Sequence, residues 1–280
     1  MDGSWSQLEF RNLLRVPTGR TDEMMSLASK TMPGFVTIVV ALLTIPKVNA
    51  QPANNRFFLN INAGYQTSST NFSETVKFTL FLEEGDFSAD YLVESSPIYD
   101  VGAGVVLWKN LALAVGASRF TNQTDVPVSI RLPHPFFFNR DRKISSTAPS
   151  LVREETAVHL QALWMNPIND RFEIAVFGGP TLFIVSQDLV TNVSHTEEYP
   201  FDTSTVDTVT AERRSTSTVG FNVGFDLSYF LLRGTGGTKL GVGTLVRLSR
   251  ASIDFVSKNT NILSVDAGGL HISAGLRLRF

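Results

Sequence analysis

Residues 270–280 read LHISAGLRLRF, and apolar residues alternate with other residues throughout this stretch. The apolar residues stand at the even positions, and those between them are His271, Ser273, Gly275, Arg277 and Arg279. Neighbouring side chains of a β-strand point to opposite faces of a sheet, so the stretch predicts a strand with one oily face and one polar face. The oily face suits hydrocarbon, while the two arginines need polar partners on the other side.

The same period of two recurs from residue 57 onward in segments of about ten residues, the length at which tilted strands cross a membrane. The segments predict eight strands. Their short turns are Lys109-Asn110, 166–170 and 234–237, and their long connections are 67–98, 120–155, 186–215 and 250–266. An open sheet in hydrocarbon would leave edge N–H and C=O groups unpaired, so the strands have to close. The sequence predicts an all-β fold, a closed antiparallel up-and-down transmembrane β-barrel with both ends in the periplasm.

A short apolar segment precedes the barrel. Residues 34–45 read GFVTIVVALLTI, with Lys30 before them and Val48-Asn49-Ala50 after them. The segment is shorter than the roughly 20 residues of a membrane-spanning helix. A basic flank, a short apolar core and small residues before a cleavage point are typical of a secretory signal. We expect an uncertain N-terminal extension at 1–23, a disordered signal peptide at 24–50 cleaved between Ala50 and Gln51, and a barrel domain at 51–280.

Composition excludes several kinds of chemistry. The absence of cysteine removes disulfides, thiol nucleophiles and cysteine-ligated zinc. The four histidines show no ligand spacing, so neither a metal nor another cofactor is expected. A net charge of −2 gives no reason to expect nucleic acid. No serine stands at a spacing that identifies a histidine and an acid as its partners, so we predict no catalytic residues and no enzyme activity.

The C-terminal octapeptide, SAGLRLRF, resembles the β-signal of outer-membrane proteins: a polar residue, glycine, an apolar residue and a terminal aromatic at fixed spacing. Ser273, Gly275, Leu278 and Phe280 occupy those positions. With the alternation, the chain is similar to the eight-stranded outer-membrane β-barrel family that includes the OmpA transmembrane domain, OmpX and OmpW. The resemblance implies outer-membrane lipid as the surroundings and the outer-membrane assembly machinery as a transient partner. It says little about activity.

The face opposite the oily one predicts the contents of the lumen. It carries both signs of charge, and the candidate lumen network is Asp100, His159, Glu173, Asp226, Arg247, His271 and Arg277. An eight-stranded barrel is just wide enough for its own side chains to fill it. Because isolated charges there would be costly, we interpret the set as a paired polar core. A narrow ion path or a ligand lumen is the other interpretation.

The long connections are the better candidates for recognition, since loops on rigid scaffolds often carry binding sites. Residues 133–143 read PHPFFFNRDRK, and the candidate ligand-binding residues are His134, Phe136, Phe137, Phe138 and Arg140. The phenylalanines could instead pack between hairpins or form an aromatic belt at the outer interface. Residues 76–82 also alternate, so we expect some strands to continue beyond the membrane as extended hairpins.

These observations predict a monomeric, non-enzymatic, integral outer-membrane barrel of a Gram-negative envelope. Its role would be structural or one of surface interaction through long extracellular loops. A small channel or carrier for ions or small hydrophobic compounds is the alternative. A soluble barrel of lipocalin type fits less well, because it would place its apolar face inside.

Overall fold

The computed structural model describes residues 56–67, 70–256 and 262–280. The predicted N-terminal extension, signal peptide and cleavage after Ala50 lie outside the described residues and stay predictions. Within these ranges, no helix is long and apolar enough to cross a bilayer, a finding that does not bear on membrane β-barrels.

Within the described residues, the chain forms ten β-strands. They are β1 (Phe57–Thr67), β2 (Thr70–Leu80), β3 (Glu83–Val93), β4 (Ser96–Trp108), β5 (Leu111–Pro133), β6 (Asp141–Pro167), β7 (Phe172–Glu197), β8 (Ser204–Arg233), β9 (Lys239–Val256) and β10 (Ile262–Arg279). A single 3₁₀ turn, Thr235–Gly237, lies between β8 and β9 among the described residues. All of the pairings between strands are antiparallel.

Eight of the ten strands close into a ring. The pairing runs β1, β4, β5, β6, β7, β8, β9, β10, and β10 pairs back onto β1. The closing register places Phe58 opposite Arg279 and Thr67 opposite Leu270. The predicted closed antiparallel barrel of eight strands is therefore confirmed.

The remaining two strands, β2 and β3, form a hairpin within the first long connection. Phe81 and Leu82 make its turn, both with left-handed φ angles of 52° and 68°. β3 then pairs with the far part of β5, with Asp86 opposite Arg131. This hairpin agrees with the expectation that strands continue around residues 76–82.

Two more long connections differ from the prediction, because most of their residues belong to strands. The β5–β6 ladder continues from Leu111 opposite Trp164 as far as Pro133 opposite Asp141. The β7–β8 ladder likewise continues to Glu197 opposite Ser204. Only residues 134–140 and 198–203 remain as turns, so these two connections are mainly paired strand extensions rather than open loops.

The strands have two zones of opposite polarity. In the zone next to the short turns, here called the wall, Ile272 of β10 is exposed outside and Arg277 is buried inside. Farther along the same strand, Val265 is buried inside and Asp266 is exposed outside. The period of two is unchanged, but the apolar residues move from the outer face to the inner face. We call the second zone, residues 70–93, 121–153, 187–217, 250–256 and 262–267, the head.

The head is built from three separate sheets around an apolar core. β2, β3, β5 and β6 form one sheet, because β6 and β7 stop pairing at Arg153 opposite Gln187. β7–β8 and β9–β10 form two ribbons, because β8 and β9 stop pairing at Phe221 opposite Arg250. Buried side chains of this core include Phe87, Val128, Leu132, Ile253 and Phe255, and Phe183 and Val185, just outside these ranges on β7, belong to the same cluster.

Candidate functional site

The wall encloses a network of charged and polar side chains. Near its middle, Arg277 is fully buried and bonds Asp226 through Nη2, at 2.5 Å from Oδ2. The Nη1 of the same guanidinium donates to the side-chain oxygen of Asn62 at 2.6 Å. The amide of Asn62 in turn donates to Asp100 at 2.9 Å. One arginine therefore connects two carboxylates through an asparagine.

A second arginine completes this group. Arg247 Nη1 lies 2.8 Å from Oδ2 of Asp100, and its Nη2 lies 2.9 Å from Nδ1 of His271. The other ring nitrogen of His271 lies 3.3 Å from the hydroxyl of Ser249. Because both guanidinium groups meet a carboxylate, no charge among these residues is buried alone.

His159 belongs to a second group of hydrogen-bonded side chains, whose other members carry no charge. Its Nε2 lies 3.0 Å from the hydroxyl of Ser118, and its Nδ1 lies 2.9 Å from the hydroxyl of Thr181. Asn222 donates to Thr181 at 2.8 Å and accepts from Gln161 at 2.8 Å. The ring is completely buried and both of its nitrogens are occupied.

Ion pairs also fill the two ends of the lumen. At the end nearest the short turns, Arg279 pairs with Glu173 at 2.6 Å and its guanidinium stacks 4.5 Å from the ring centre of Phe58. At the end below the head, Arg153 pairs with Glu155 at 2.8 Å. Glu155 also accepts from the backbone N–H of Gly268 at 3.1 Å. The lumen is thus closed by polar contacts at both ends.

The structure brings six of the seven predicted lumen residues into ion-paired groups and leaves His159 apart. Sequence reasoning missed Arg153 and Glu155, because they lie in a stretch that was interpreted as loop. A cavity of about 30 Å³ remains beside Asn60 and Asp100, which is room for only a water or two. Among the described residues no group of His, Cys, Asp and Glu could hold a metal ion. The lumen is a filled polar core.

The far end of the head joins three hairpin turns. The backbone N–H of Asn139 donates to Glu83 at 2.7 Å, which ties the β5–β6 turn to the β2–β3 turn. Arg142 pairs with Glu197 at 2.5 Å and donates to the carbonyl of Phe201 at 3.2 Å, which ties the β5–β6 hairpin to the β7–β8 turn. These contacts hold the three turns as one unit.

Aromatic rings line the junction of these turns. Phe136 meets Phe201 edge to face, with ring centres 5.4 Å apart. His134 is buried, and its ring centre lies 4.9 Å from that of Phe137. The guanidinium group of Arg140 lies over the ring of Phe137, 5.4 Å from its centre. The five residues predicted from 133–143, Phe138 included, therefore all lie at the tip of the head, away from the wall.

Several large apolar side chains at this tip remain exposed. The exposed fraction is 91% for Leu82, 84% for Tyr199, 73% for Phe138, 68% for Phe136 and 54% for Phe137. We call these five the distal apolar patch. Leu82 and Tyr199 were missed from the sequence, because they come from turns far from residues 133–143 in the chain.

The chain is similar to solved structures of bacterial surface proteins. Neisserial surface protein A shares 15% identity over 80% of this chain and 97% of its own, with a TM-score of 0.40. Ail, the attachment invasion locus protein of Yersinia pestis, shares 9% identity over 79% of this chain and 99% of its own, with a TM-score of 0.32. That structure is a complex with the heparin analogue sucrose octasulfate. A second structure of Ail shares 10% identity at the same TM-score.

No protein-family model matches the chain, and no curated protein matches it. The predicted resemblance to eight-stranded barrels holds for the fold, because eight strands of this chain pair into a closed antiparallel ring. The closure of this chain itself is given by the pairing of β1 with β10.

Proposed function

We propose that the protein is an integral, non-enzymatic outer-membrane barrel that presents a rigid head and its distal apolar patch to a partner at the cell surface. The observation that carries the proposal is the reversal of polarity between wall and head. A surface that changes from apolar to polar along the same strands fits a molecule that passes from lipid into water.

The outer face of the wall supports a lipid environment. Every strand of the ring contributes exposed apolar side chains there, among them Ile61, Val101, Leu113, Leu160, Val176, Val223, Val242 and Leu276. Such a continuous apolar surface on a protein in water would drive aggregation. The apolar positions of β10 and of the residue after it run from Leu270 to Phe280, which matches the roughly 9–11 residues of a tilted membrane-spanning strand.

Both borders of this apolar belt carry the side chains expected at a lipid–water boundary. Trp108 and Trp164 are exposed at the end with the short turns, where aromatic girdles are typical. On the head side, Glu154 pairs on the outer surface with Arg119 at 3.2 Å and with Arg213 at 2.5 Å. Charges at this height would be costly in hydrocarbon and are solvated in the headgroup region.

The pairing of charged side chains in the head supports a role for the head in contacting a partner. Around the distal apolar patch, arginines are paired with acidic residues of the neighbouring turns, as Arg140 is with Asp202 at 3.3 Å. The patch therefore offers a partner mainly apolar and aromatic surface. Aromatic anchors on a rigid support are the residues that dominate binding at protein surfaces.

The arrangement gives little support to catalysis. Ser118 and His159 are hydrogen-bonded, as a nucleophile and its base would be. However, both are buried inside the wall, and the second nitrogen of His159 faces Thr181 rather than a carboxylate. A substrate could not reach the pair without breaking the lumen network.

Two experiments test the proposal: membrane fractionation, and binding measurements on variants of the distal apolar patch. We expect the mature protein in the outer-membrane fraction, with heat-modifiable gel mobility. Cells that display it should bind octyl-coated beads, and Phe136→Ser with Phe138→Ser should reduce binding several-fold with unchanged mobility. Thr121→Ser, on the outer face of the head, is the matched control. Recovery in the soluble periplasm, or unchanged binding by the patch variant, would contradict the proposal.

A further inference from the structure

The short turns of the wall form a second surface that the distal apolar patch does not use. We call it the rim, and it consists of residue 56 and residues 107–111, 164–172 and 231–240. Its charged residues are Arg56, Lys109, Asp170, Arg171, Arg233 and Lys239. All of them except Asp170 are cationic, and all except the half-buried Lys239 are exposed. The rim therefore carries a positive surface charge at the end of the barrel opposite the head.

Few of these positive charges are neutralised within the protein. Among the residues that the structure describes, only one rim cation, Arg233, is paired with a carboxylate, that of Asp170 at 3.5 Å. Because this carboxylate is almost fully exposed, the pair is a weak one. A carboxylate at the end of residue 280 would remove one more charge and leave the rim positive. The head has the opposite balance, since acidic residues outnumber basic residues there.

The cations of the rim lie at the height expected for lipid headgroups. The apolar belt of the wall ends at the rim with exposed apolar and aromatic side chains, among them Trp108, Trp164, Leu231 and Leu232. Lys109 follows Trp108 directly, and its ammonium group lies 5.5 Å from the centre of that indole ring. A lipid beside the rim would therefore meet apolar side chains with its acyl chains and cations with its headgroup.

We infer that the rim binds anionic phospholipid, with the phosphate of a phosphatidylglycerol headgroup beside Lys109 and the neighbouring rim cations. Charge complementarity selects this occupant, because a zwitterionic lipid offers the positive rim no net charge. A lysine or arginine close to an anionic lipid surface strengthens binding by about fivefold. The inference rests on the membrane placement in the proposed function and deepens it, since it names the lipid at the end with the short turns.

The protein carries its own reporters for this lipid. The chain contains three tryptophans, and the two described ones, Trp108 and Trp164, both lie at the rim. With Trp5→Phe in the full chain, tryptophan fluorescence reports only on lipid next to the rim. The protein is reconstituted into vesicles of phosphatidylcholine and phosphatidylglycerol, in which one lipid or the other carries brominated, quenching chains. The quenching gives the binding constant of phosphatidylglycerol relative to phosphatidylcholine at the rim.

At low salt this relative binding constant should favour phosphatidylglycerol several-fold, and high salt should reduce the preference. Lys109→Gln should lower it by up to about fivefold, while Lys109→Arg, which keeps the charge, should retain it. Adding Arg171→Gln and Lys239→Gln to Lys109→Gln should remove most of what remains. Lys143→Gln, which removes an exposed cation of the head, is the matched control and should change nothing. Heat-modifiable gel mobility shows that each variant is folded.

Equal binding of the two lipids at low salt would overturn the inference, and so would a preference that survives the loss of Lys109, Arg171 and Lys239 together. Both brominated lipids would still quench the tryptophans in these cases, so the membrane placement would stand. Quenching by neither lipid would contradict the membrane placement itself, and the inference with it.

Discussion

Arg247 on β9 and Asp100 on β4 form an ion pair across the lumen at 2.8 Å, although β1 and β10 separate their strands on the wall. Removing one member leaves the other charge buried without its partner. We expect Arg247→Met to lower the free energy of unfolding by about 3–5 kcal/mol. Urea unfolding of the refolded barrel, followed by heat-modifiable gel mobility, measures the change.

Two further variants show whether the loss comes from an unpaired charge. Adding Asp100→Asn to Arg247→Met should recover a large part of the stability, because the double variant no longer buries a carboxylate without its ion-pair partner. Arg233→Met removes an exposed pair with Asp170 at 3.5 Å and should cost less than about 1 kcal/mol. Equal losses in the buried and exposed variants would contradict this account of the lumen.

The filled lumen predicts that the wild-type barrel does not conduct. Ion pairs lie at both ends of the wall, and the cavity between them holds about 30 Å³. Purified protein in planar bilayers should show no steady open-channel current, while a 16-stranded porin in the same membrane conducts. A sustained current would favour the alternative of a small channel.

The belt predicts a depth-dependent penalty for charge on the outer face. Leu276 is exposed within the belt, so Leu276→Lys should cost about 2–4 kcal/mol in a bilayer. Ser252→Lys is the matched control, because Ser252 is exposed on the outer face of the head. Unfolding of both variants in lipid vesicles gives the comparison. Equal stability of the two variants would mean that lipid does not cover Leu276.

Sequence periodicity predicted the wall because one rule applies to all of its strands. Residues such as Tyr99, Val101 and Leu113 alternate with small or polar residues, and the structure places them on the outer face. Asp100 and Arg277 could be assigned to the inner face by the same rule. The partners of these residues could not be predicted from the sequence. Contacts such as that of Arg277 with Asn62 join residues 215 positions apart and depend on the closed ring.

The head was mostly missed for a different reason. Val126, Val128, Ile130 and Leu132 also alternate, but they lie in the stretch that was interpreted as a long loop. Their pattern is the same as that of lipid-facing residues, yet their side chains point inward and form a core. Periodicity alone cannot tell these cases apart. The outward charges between and beside them, such as Asp125 and Arg131, were the available signal.

Tyr91 fastens the β2–β3 hairpin to the rest of the head. The buried backbone N–H of Val190 on β7 donates to the Tyr91 hydroxyl at 2.7 Å. Tyr91→Phe leaves that N–H without an acceptor, at an expected cost of about 1–3 kcal/mol. Limited proteolysis of the hairpin should become faster, while Tyr99→Phe on the outer wall should change nothing. Unchanged proteolysis of the Tyr91 variant would refute this role.

Burial of the same hydroxyl predicts an alkaline limit to the stability of the head. Burial raises the pKa of Tyr91 above its ordinary value of about 10. The folded state favours the neutral phenol, so its contribution is complete below about pH 10 and is lost as the pH rises through the folded value. Cleavage of the hairpin should accelerate above pH 10 in the wild type. A rate that stays level between pH 9 and 11 would argue against it.

Gly275 and Phe280 belong to the same predicted assembly signal, but the structure gives them different mechanical roles. A Cβ at Gly275 would collide with the backbone carbonyl oxygen of Ile61 where β10 closes on β1. Phe280 is half-exposed, and its ring lies 6.0 Å from that of Phe57. Gly275→Ala should therefore impair closure of the barrel even when the purified protein is refolded in detergent, where no assembly machinery is present. Phe280→Ala should refold there almost normally.

In cells the assembly machinery is present, whereas in detergent it is absent. Comparing the two settings distinguishes a residue that the machinery reads from one that only stabilises the barrel. If that machinery reads the terminal aromatic, Phe280→Ala should lower the amount of folded barrel in the outer membrane several-fold, although its refolding in detergent is intact. Gly275→Ala should fail in both settings. Quantifying the heat-modifiable form from cells and from detergent gives the ratio that decides. If Phe280→Ala lowers the amount of folded barrel equally in cells and in detergent, the ring of Phe280 only packs on Phe57. The C-terminal octapeptide is then not an assembly signal.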